Sequence, residues 1–154
     1  MWKEVPDTMP PSHPEVKIRR MVDADLEAVK EIDRLLFGEG RVPSWPLSVE
    51  AELELYRPAL SFVAEVGGKI VGFLLGDIRR ERYGIGMGGW IDMIGVAPEY
   101  QHKGIGRRLM LGFWAECQRR YVRTNVIGRE DDERLIRFCT SMGFRRGKLI
   151  NLEM

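Results

Sequence analysis

Residues 90–122 read WIDMIGVAPEYQHKGIGRRLMLGFWAECQRRYV, and this stretch decides the fold. Ile91 to Val96 is an apolar run that reads as a buried strand. Pro98 has no N–H to give to a ladder, so the strand stops before it. After Gln101-His102-Lys103-Gly104-Ile105-Gly106-Arg107 the spacing turns helical: Ile105, Leu109, Phe113, Cys117 and Tyr121 recur every four residues, and Met110 and Trp114 widen the stripe. A strand, a glycine loop and a helix N-terminus therefore follow one another directly.

That order is suited to holding an anion. The first turn of a helix has N–H groups without intrahelical partners, and the macrodipole places about half a positive charge there. Gly104 and Gly106 carry no Cβ, so a phosphate can approach the backbone closely. Lys103, Arg107 and Arg108 add full positive charges. The reading is a pyrophosphate cradle. A dinucleotide fingerprint is excluded, because Leu109 sits where its third glycine belongs, and no Gly-Lys-Ser/Thr exists for a P-loop. The glycine cluster Gly84 to Gly89 is followed by a strand and reads as a flexible hairpin connection.

The run VAPEYQHKGIGRRLM, with Gln101-x-x-Gly104-x-Gly106 at its centre, resembles the acetyl-coenzyme A signature of the GNAT superfamily of N-acetyltransferases. A second stretch, Asp132 to Phe144, keeps the spacing of the family's other motif, Asn-x-x-Ala-x-x-Phe-Tyr-x-x-x-Gly-Phe, with Phe138, Gly143 and Phe144 in place. Asp132 stands where Asn is usual and Cys139 where Tyr is usual. The resemblance covers roughly residues 16–152.

Composition agrees with one domain. A chain of 154 residues with 44% hydrophobic content supports a single core, and no apolar run reaches the roughly 18 to 20 residues needed to span a bilayer. The formal charge of +1 is spread along the chain, so neither nucleic acid nor membrane is expected as a partner. The N-terminus, MWKEVPDTMPPSHPEV, has no apolar core of the kind a signal peptide needs, so the cytoplasm is the expected location. Cys117 and Cys139 fall on apolar helix faces and read as free thiols. With His13 and His102 isolated, no metal is expected.

Outward from the central stretch, residues 1–15 read as a flexible, proline-rich tail and residues 16–154 as one domain. Val16 to Met21 alternates as a strand. Asp23 is placed to cap a helix whose stripe is Leu26, Val29, Ile32, Leu35 and Leu36, ended by Gly38. Ser48 to Tyr56 reads as a second helix. Leu60–Val66, Gly67-Gly68 and Lys69–Arg80 read as a hairpin, Val122 to Ile127 as a strand, Asp131 to Ser141 as a helix, and Phe144 to Leu152 as the last strand or a short hairpin around Gly147. The order β-α-α-β-β-β-α-β-α-β predicts an α/β (α+β) fold: a mixed, mostly antiparallel central sheet of six to seven strands with helices on both faces.

The resemblance implies more about the site. The sheet should splay in a V between strands 90–96 and 122–127 to admit acetyl-CoA. Along Ile94-Gly95-Val96, backbone groups of Ile94 and Val96 should bond the pantetheine amides, while the amides from His102 to Arg107 take the pyrophosphate. Asp132 and Phe138 are further cofactor contacts. Asp92, given by strand alternation the side-chain parity of Ile94 and Val96, is the leading candidate base, since an alkyl ammonium must lose a proton before it can attack. Asp77 is the second candidate, and Glu99 shapes the turn. The Val96 N–H is the oxyanion donor. Phe37 and Trp45 are candidate acceptor contacts, or else pack the helices onto the sheet. Cys139 reads as core packing rather than as a general acid. The implied reaction is direct N-acetylation of a primary amine on a small molecule or peptide; a degenerate CoA-binding regulatory module is the alternative. A homodimer is compatible with the resemblance.

Overall fold

The computed structural model describes residues 15–38, 60–79 and 84–154. The predicted tail, the predicted helix at Ser48–Tyr56, and Trp45 lie outside them.

Five strands form one sheet in the order β1-β2-β3-β4-β5: β1 (Val16–Arg20), β2 (Phe62–Val66), β3 (Lys69–Arg79), β4 (Gly88–Val96) and β5 (Arg123–Val126). The first four pair antiparallel and β5 joins β4 in parallel, so the sheet is mixed and mostly antiparallel as read from the sequence. Gly67 and Gly68, at φ 57° and 81°, make the β2–β3 hairpin, whose tight turn needs left-handed backbone. Helices α1 (Leu26–Phe37), α2 (Ile105–Arg119) and α3 (Glu133–Ser141) complete the described elements.

Strand alternation sends side chains to two separate cores. Leu74, Ile91, Leu109, Met110 and Phe113 are among those under α2. Val29, Ile32, Phe73, Leu75 and Met93 pack under α1. The helix stripe needs one correction: Leu35 is 49% exposed, because the buried face of α1 runs through Val29, Ile32 and Leu36.

Two strand glycines exist for packing. A Cβ on Gly76 would lie 2.6 Å from Phe113 Cε2, and one on Gly89 would collide with Cys117 Sγ. The two lie on adjoining strands, β3 and β4, and let α2 rest directly on the sheet. The expected Gly84–Gly89 connection is therefore shorter than read, since Gly88 and Gly89 already belong to β4.

Two further expectations change. Asp23 makes no cap. A 3-10 turn spans Asp23–Asp25, and buried Asp25 accepts the Val22 N–H at 2.8 Å. Arg19 holds both Asp25 oxygens at 2.8 Å. Residues 144–152 form no strand, so the described sheet has five strands and not six to seven; the segment meets no ladder and bends at Lys148. The C-terminal stop of α3 is as read, with Gly143 at φ 95° and the Phe144 N–H bonded to Cys139 O at 3.0 Å.

Candidate functional site

β4 and β5 pair only from Gly88↔Arg123 to Ile91↔Val126, with one further bond from the Ile127 N–H to Ile91 O at 3.1 Å. Beyond Ile91, β4 has no neighbour on that side among the described residues. The two strands part there, which leaves a slot along Asp92–Val96.

Which backbone groups line the slot is set by a bulge. Leu75 pairs with Met93 and Gly76 with Ile91, so β4 spends one extra residue, Asp92, at that step. Before the bulge, Ile91 turns its carbonyl to β5. After it, the Ala97 N–H bonds to Val71 O at 2.8 Å, so Ala97, Gly95 and Met93 face β3. Ile94 and Val96 therefore turn their N–H and C=O groups into the slot. Gly95 faces the other way, and its missing Cβ makes room for Phe73 and Leu36 on the α1 side.

The same bulge corrects the reading of Asp92. Ile94 and Val96 put their side chains on the α2 core, whereas Asp92 shares the opposite face with Trp90 and Met93. There Arg79 Nη2 donates a short bond to Asp92 Oδ2, and Arg79 Nε reaches Asp77 Oδ1 at 3.0 Å. The guanidinium lies 5.7 Å from the centre of the Trp90 ring. Asp77, 4% exposed, and Asp92 are thus joined through one cation. The bridging role of Arg79 follows from the β3–β4 register.

At the end of β4 a 3-10 turn, Pro98–Tyr100, leads into the glycine loop. Glu99 lies in it, and Gln101 Nε2 donates to Val96 O at 3.0 Å. His102 at φ 61° and Gly104 at φ 80° are both left-handed, an arrangement that turns successive amides inward. Gly104 occupies the N-cap of α2 and makes no side-chain cap. The first helical bond runs from the Arg108 N–H to Gly104 O at 3.1 Å, which leaves the amides of Ile105, Gly106 and Arg107 without a helical acceptor. Lys103 is drawn back over the Tyr100 ring, 5.5 Å from its centre. A Cβ on Gly106 would meet Phe138 at 3.6 Å and Val96 Cγ2 at 3.8 Å, ordinary contact distances. Packing alone thus does not require glycine here.

The second sequence motif closes this end of the slot. Phe138 is half-buried beside Gly106. Asp132 caps α3 by accepting the Leu135 N–H at 3.0 Å, so one of its oxygens is committed to the helix. Cys139 is buried in the α2 core, and burial first, then the Asp132 charge, pushes its thiol above the ordinary range. Phe37, at the end of α1, is 54% exposed.

The slot thus brings together Ile94, Val96, Gln101, Ile105–Arg107 and Phe138. Asp92 stands at its mouth on the other face. An uncapped helix start and an adjoining strand edge can hold a diphosphate on an extended, amide-bearing arm. Among the described residues no three His, Cys, Asp or Glu side chains gather as a metal site, and no helix is long and apolar enough to cross a membrane.

The comparisons agree with this geometry. The model of the Acetyltransferase (GNAT) family matches residues 26–144. No curated protein matches the chain. Among solved structures, aminoglycoside N-acetyltransferase AAC(6')-Iy in complex with CoA superposes with a TM-score of 0.77 at 16% identity, over 95% of this chain and 98% of that one. An aminoglycoside acetyltransferase from an uncultured soil metagenomic sample, in complex with sisomicin, gives 0.68 at 20% identity over 90% and 95%. Ard1 from Thermoplasma volcanium gives 0.67 at 24% identity over 86% and 84%. At these identities the likeness is one of fold.

Proposed function

Because the chain belongs to the acetyltransferase (GNAT) family, we propose that it is an N-acetyltransferase that moves the acetyl group of acetyl-CoA directly to a primary amine of a small molecule or peptide. The observation that carries this reading is the start of α2: three amides, at Ile105, Gly106 and Arg107, without helical acceptors beside a left-handed Gly104. These would hold the pyrophosphate, and the slot-facing groups of Ile94 would pair with a pantetheine amide as a neighbouring strand does.

When bound, acetyl-CoA would supply an acetyl thioester, whose C–S bond breaks as the C–N bond to the amine forms and whose leaving thiolate takes the proton that the newly acylated nitrogen sheds, or one from water. Val96 keeps its N–H on the slot for the acyl oxygen, since Gln101 already occupies its carbonyl. Asp92 takes the amine proton, directly or through one water, with Arg79 fixing its carboxylate. Aminoglycoside acetyltransferases among the similar structures make amino sugars the first acceptors to assay, beside polyamines and peptide amines.

Buried Cys139 supports a second reading, a CoA-binding module that transfers inefficiently, because a short buried thiol is a poor proton donor to a leaving thiolate. Thiol release from acetyl-CoA with an amine panel separates the two. Isothermal titration of acetyl-CoA into wild type and Gly106→Asp tests the shared premise: the aspartate places bulk and negative charge at the helix start and should abolish binding. Equal affinities would sink the proposal.

A further inference from the structure

Arg79 holds two carboxylates with one edge of its guanidinium. Nε donates to Asp77 Oδ1 at 3.0 Å, and Nη2 donates to Asp92 Oδ2. These two nitrogens lie side by side on the planar fork, an edge able to take a single carboxylate bidentately. Here that edge is divided between two acids. The register of β3 and β4 makes the division. Asp77 and Arg79 are two residues apart on β3, so both side chains leave the sheet on the α1 face, as Phe73 and Leu75 do before them. Asp77 pairs with Trp90, and Arg79 with Gly88, which has no side chain to fill the space opposite. The bulge brings Asp92 to this same face.

The two acids are not alike. The Asp92 side chain is 22% exposed, at the mouth of the slot, whereas that of Asp77 is 6% exposed. A carboxylate is costly to bury unless it is paired, and an amine arriving at the mouth meets Asp92 first. Any effect of Asp77 on the reaction therefore passes through Arg79. Other charged groups on this side are few among the described residues. α1 turns buried Asp33 inward, while its Lys30 and Arg34 pair with Glu27 and Glu31 on the helix surface. Arg19, Asp25 and Glu65 pair among themselves on the β1 and β2 side. β5 adds exposed Arg123, in register with Gly88.

Taking Asp92 as the base proposed above, we propose that Asp77 is a positioning residue for the transfer: it draws Arg79 halfway off Asp92, so that the cation steadies the carboxylate without cancelling its charge. Asp77, Arg79 and Asp92 together carry one net negative charge, and the surplus stays at the mouth, where a proton is to be taken. An Arg79 paired bidentately with Asp92 alone would make a neutral pair and a poor proton acceptor.

The test is the pH dependence of kcat at saturating amine and acetyl-CoA, with a carboxyl-carbon NMR titration of Asp92 as a readout that needs no turnover. Asp77→Asn keeps the shape, and an oxygen to accept from Arg79 Nε, while removing the charge. Losing that negative neighbour leaves the cation to Asp92 and favours its ionised form. The acid limb of kcat, and the Asp92 titration with it, should move down by about one pH unit relative to wild type. Plateau kcat should fall, because a weaker base takes the proton less readily, and KM for acetyl-CoA should hold. Arg79→Gln should move the limb up. Asp77→Asn/Arg79→Gln should return it near wild type, since charge and countercharge leave together. Should Asp77→Asn fail to fold, the double variant, which strands neither charge, decides: a limb as high as in Arg79→Gln alone overturns the proposal. Asp92→Asn separates this role from the base itself. A limb that survives Asp92→Asn overturns both; a limb that Asp92→Asn erases and Asp77→Asn leaves in place overturns the role of Asp77 alone.

Discussion

Gln101 donates its side-chain amide to the Val96 carbonyl at 3.0 Å, which ties the glycine loop to the strand arm of the slot. The bond occupies the slot-facing acceptor of Val96 and leaves its N–H as a donor. Gln101→Ala should loosen the loop and weaken acetyl-CoA binding about tenfold, the worth of one hydrogen bond of roughly 1 to 1.5 kcal/mol. Isothermal titration reads this directly. An unchanged dissociation constant would mean that the loop holds its shape without this side chain.

Asp92 faces away from Ile94 and Val96 and is braced by Arg79. Asp92→Asn should leave cofactor affinity intact and lower kcat by about 10²-fold or more near neutral pH, in line with loss of a general base. The deficit should shrink as pH approaches the pKa of the acceptor amine, about 10, where the amine is already neutral. A deficit constant across the pH range would assign Asp92 to acceptor positioning and not to proton removal.

Cys139 is buried and its thiol is held above the ordinary range by that burial. A raised pKa keeps it protonated and unreactive at neutral pH. Cys139→Ser should change kcat less than about fivefold while destabilising the fold by about 1 to 2 kcal/mol through a buried hydroxyl. Alkylation of the native protein at neutral pH should be slow at this position. A 10²-fold loss of kcat with the fold intact by circular dichroism would show that the thiol takes part in the chemistry.

Asp25 is held below the usual carboxylate range, first by its hydrogen bonds from Arg19 and further by the Val22 N–H. Its folded-state pKa is depressed from 3.8, so its contribution is present above that value and is lost as pH falls through the folded-state pKa. Asp25→Asn should therefore lower Tm most near pH 6 to 7, and the gap to wild type should narrow below about pH 4. Thermal melts across this range check it; a gap independent of pH would mean that the residue acts through hydrogen bonding alone.

The helix start at Ile105, the hairpin at Gly67-Gly68 and the strand at 91–96 were legible in the sequence, because each rests on local chemistry: free amides, left-handed backbone and an apolar run. What was not legible depends on partners distant in the chain. Asp23 and Asp25 offer equivalent carboxylates two residues apart, and only Arg19 on β1 decides between them. Residues 144–152 follow a helix and carry apolar residues as a last strand would, yet a strand exists only against an edge. Gly76 and Gly89 are fixed by the Phe113 and Cys117 side chains of a helix that follows both in the chain. The side-chain direction of Asp92 could not be counted from Val96, because the count passes through a bulge that leaves no mark on residue type.

That bulge separates two things a strand normally couples. The residue at 92 is the extra one, with no partner of its own on β3, so the aim of Ile94 and Val96 into the slot does not depend on which side chain stands there. Chemistry at this position can therefore drift without disturbing the seat beside it: an Asp, an Asn or a Ser there would leave the arm aimed as it is. Removing the residue altogether would restore simple alternation from Ile91 through Met93 and would still leave Ile94 and Val96 aimed at the slot. Substitution at 92 and deletion of 92 are thus parallel experiments: one alters the carboxylate, the other removes it, and neither readdresses the seat beside it.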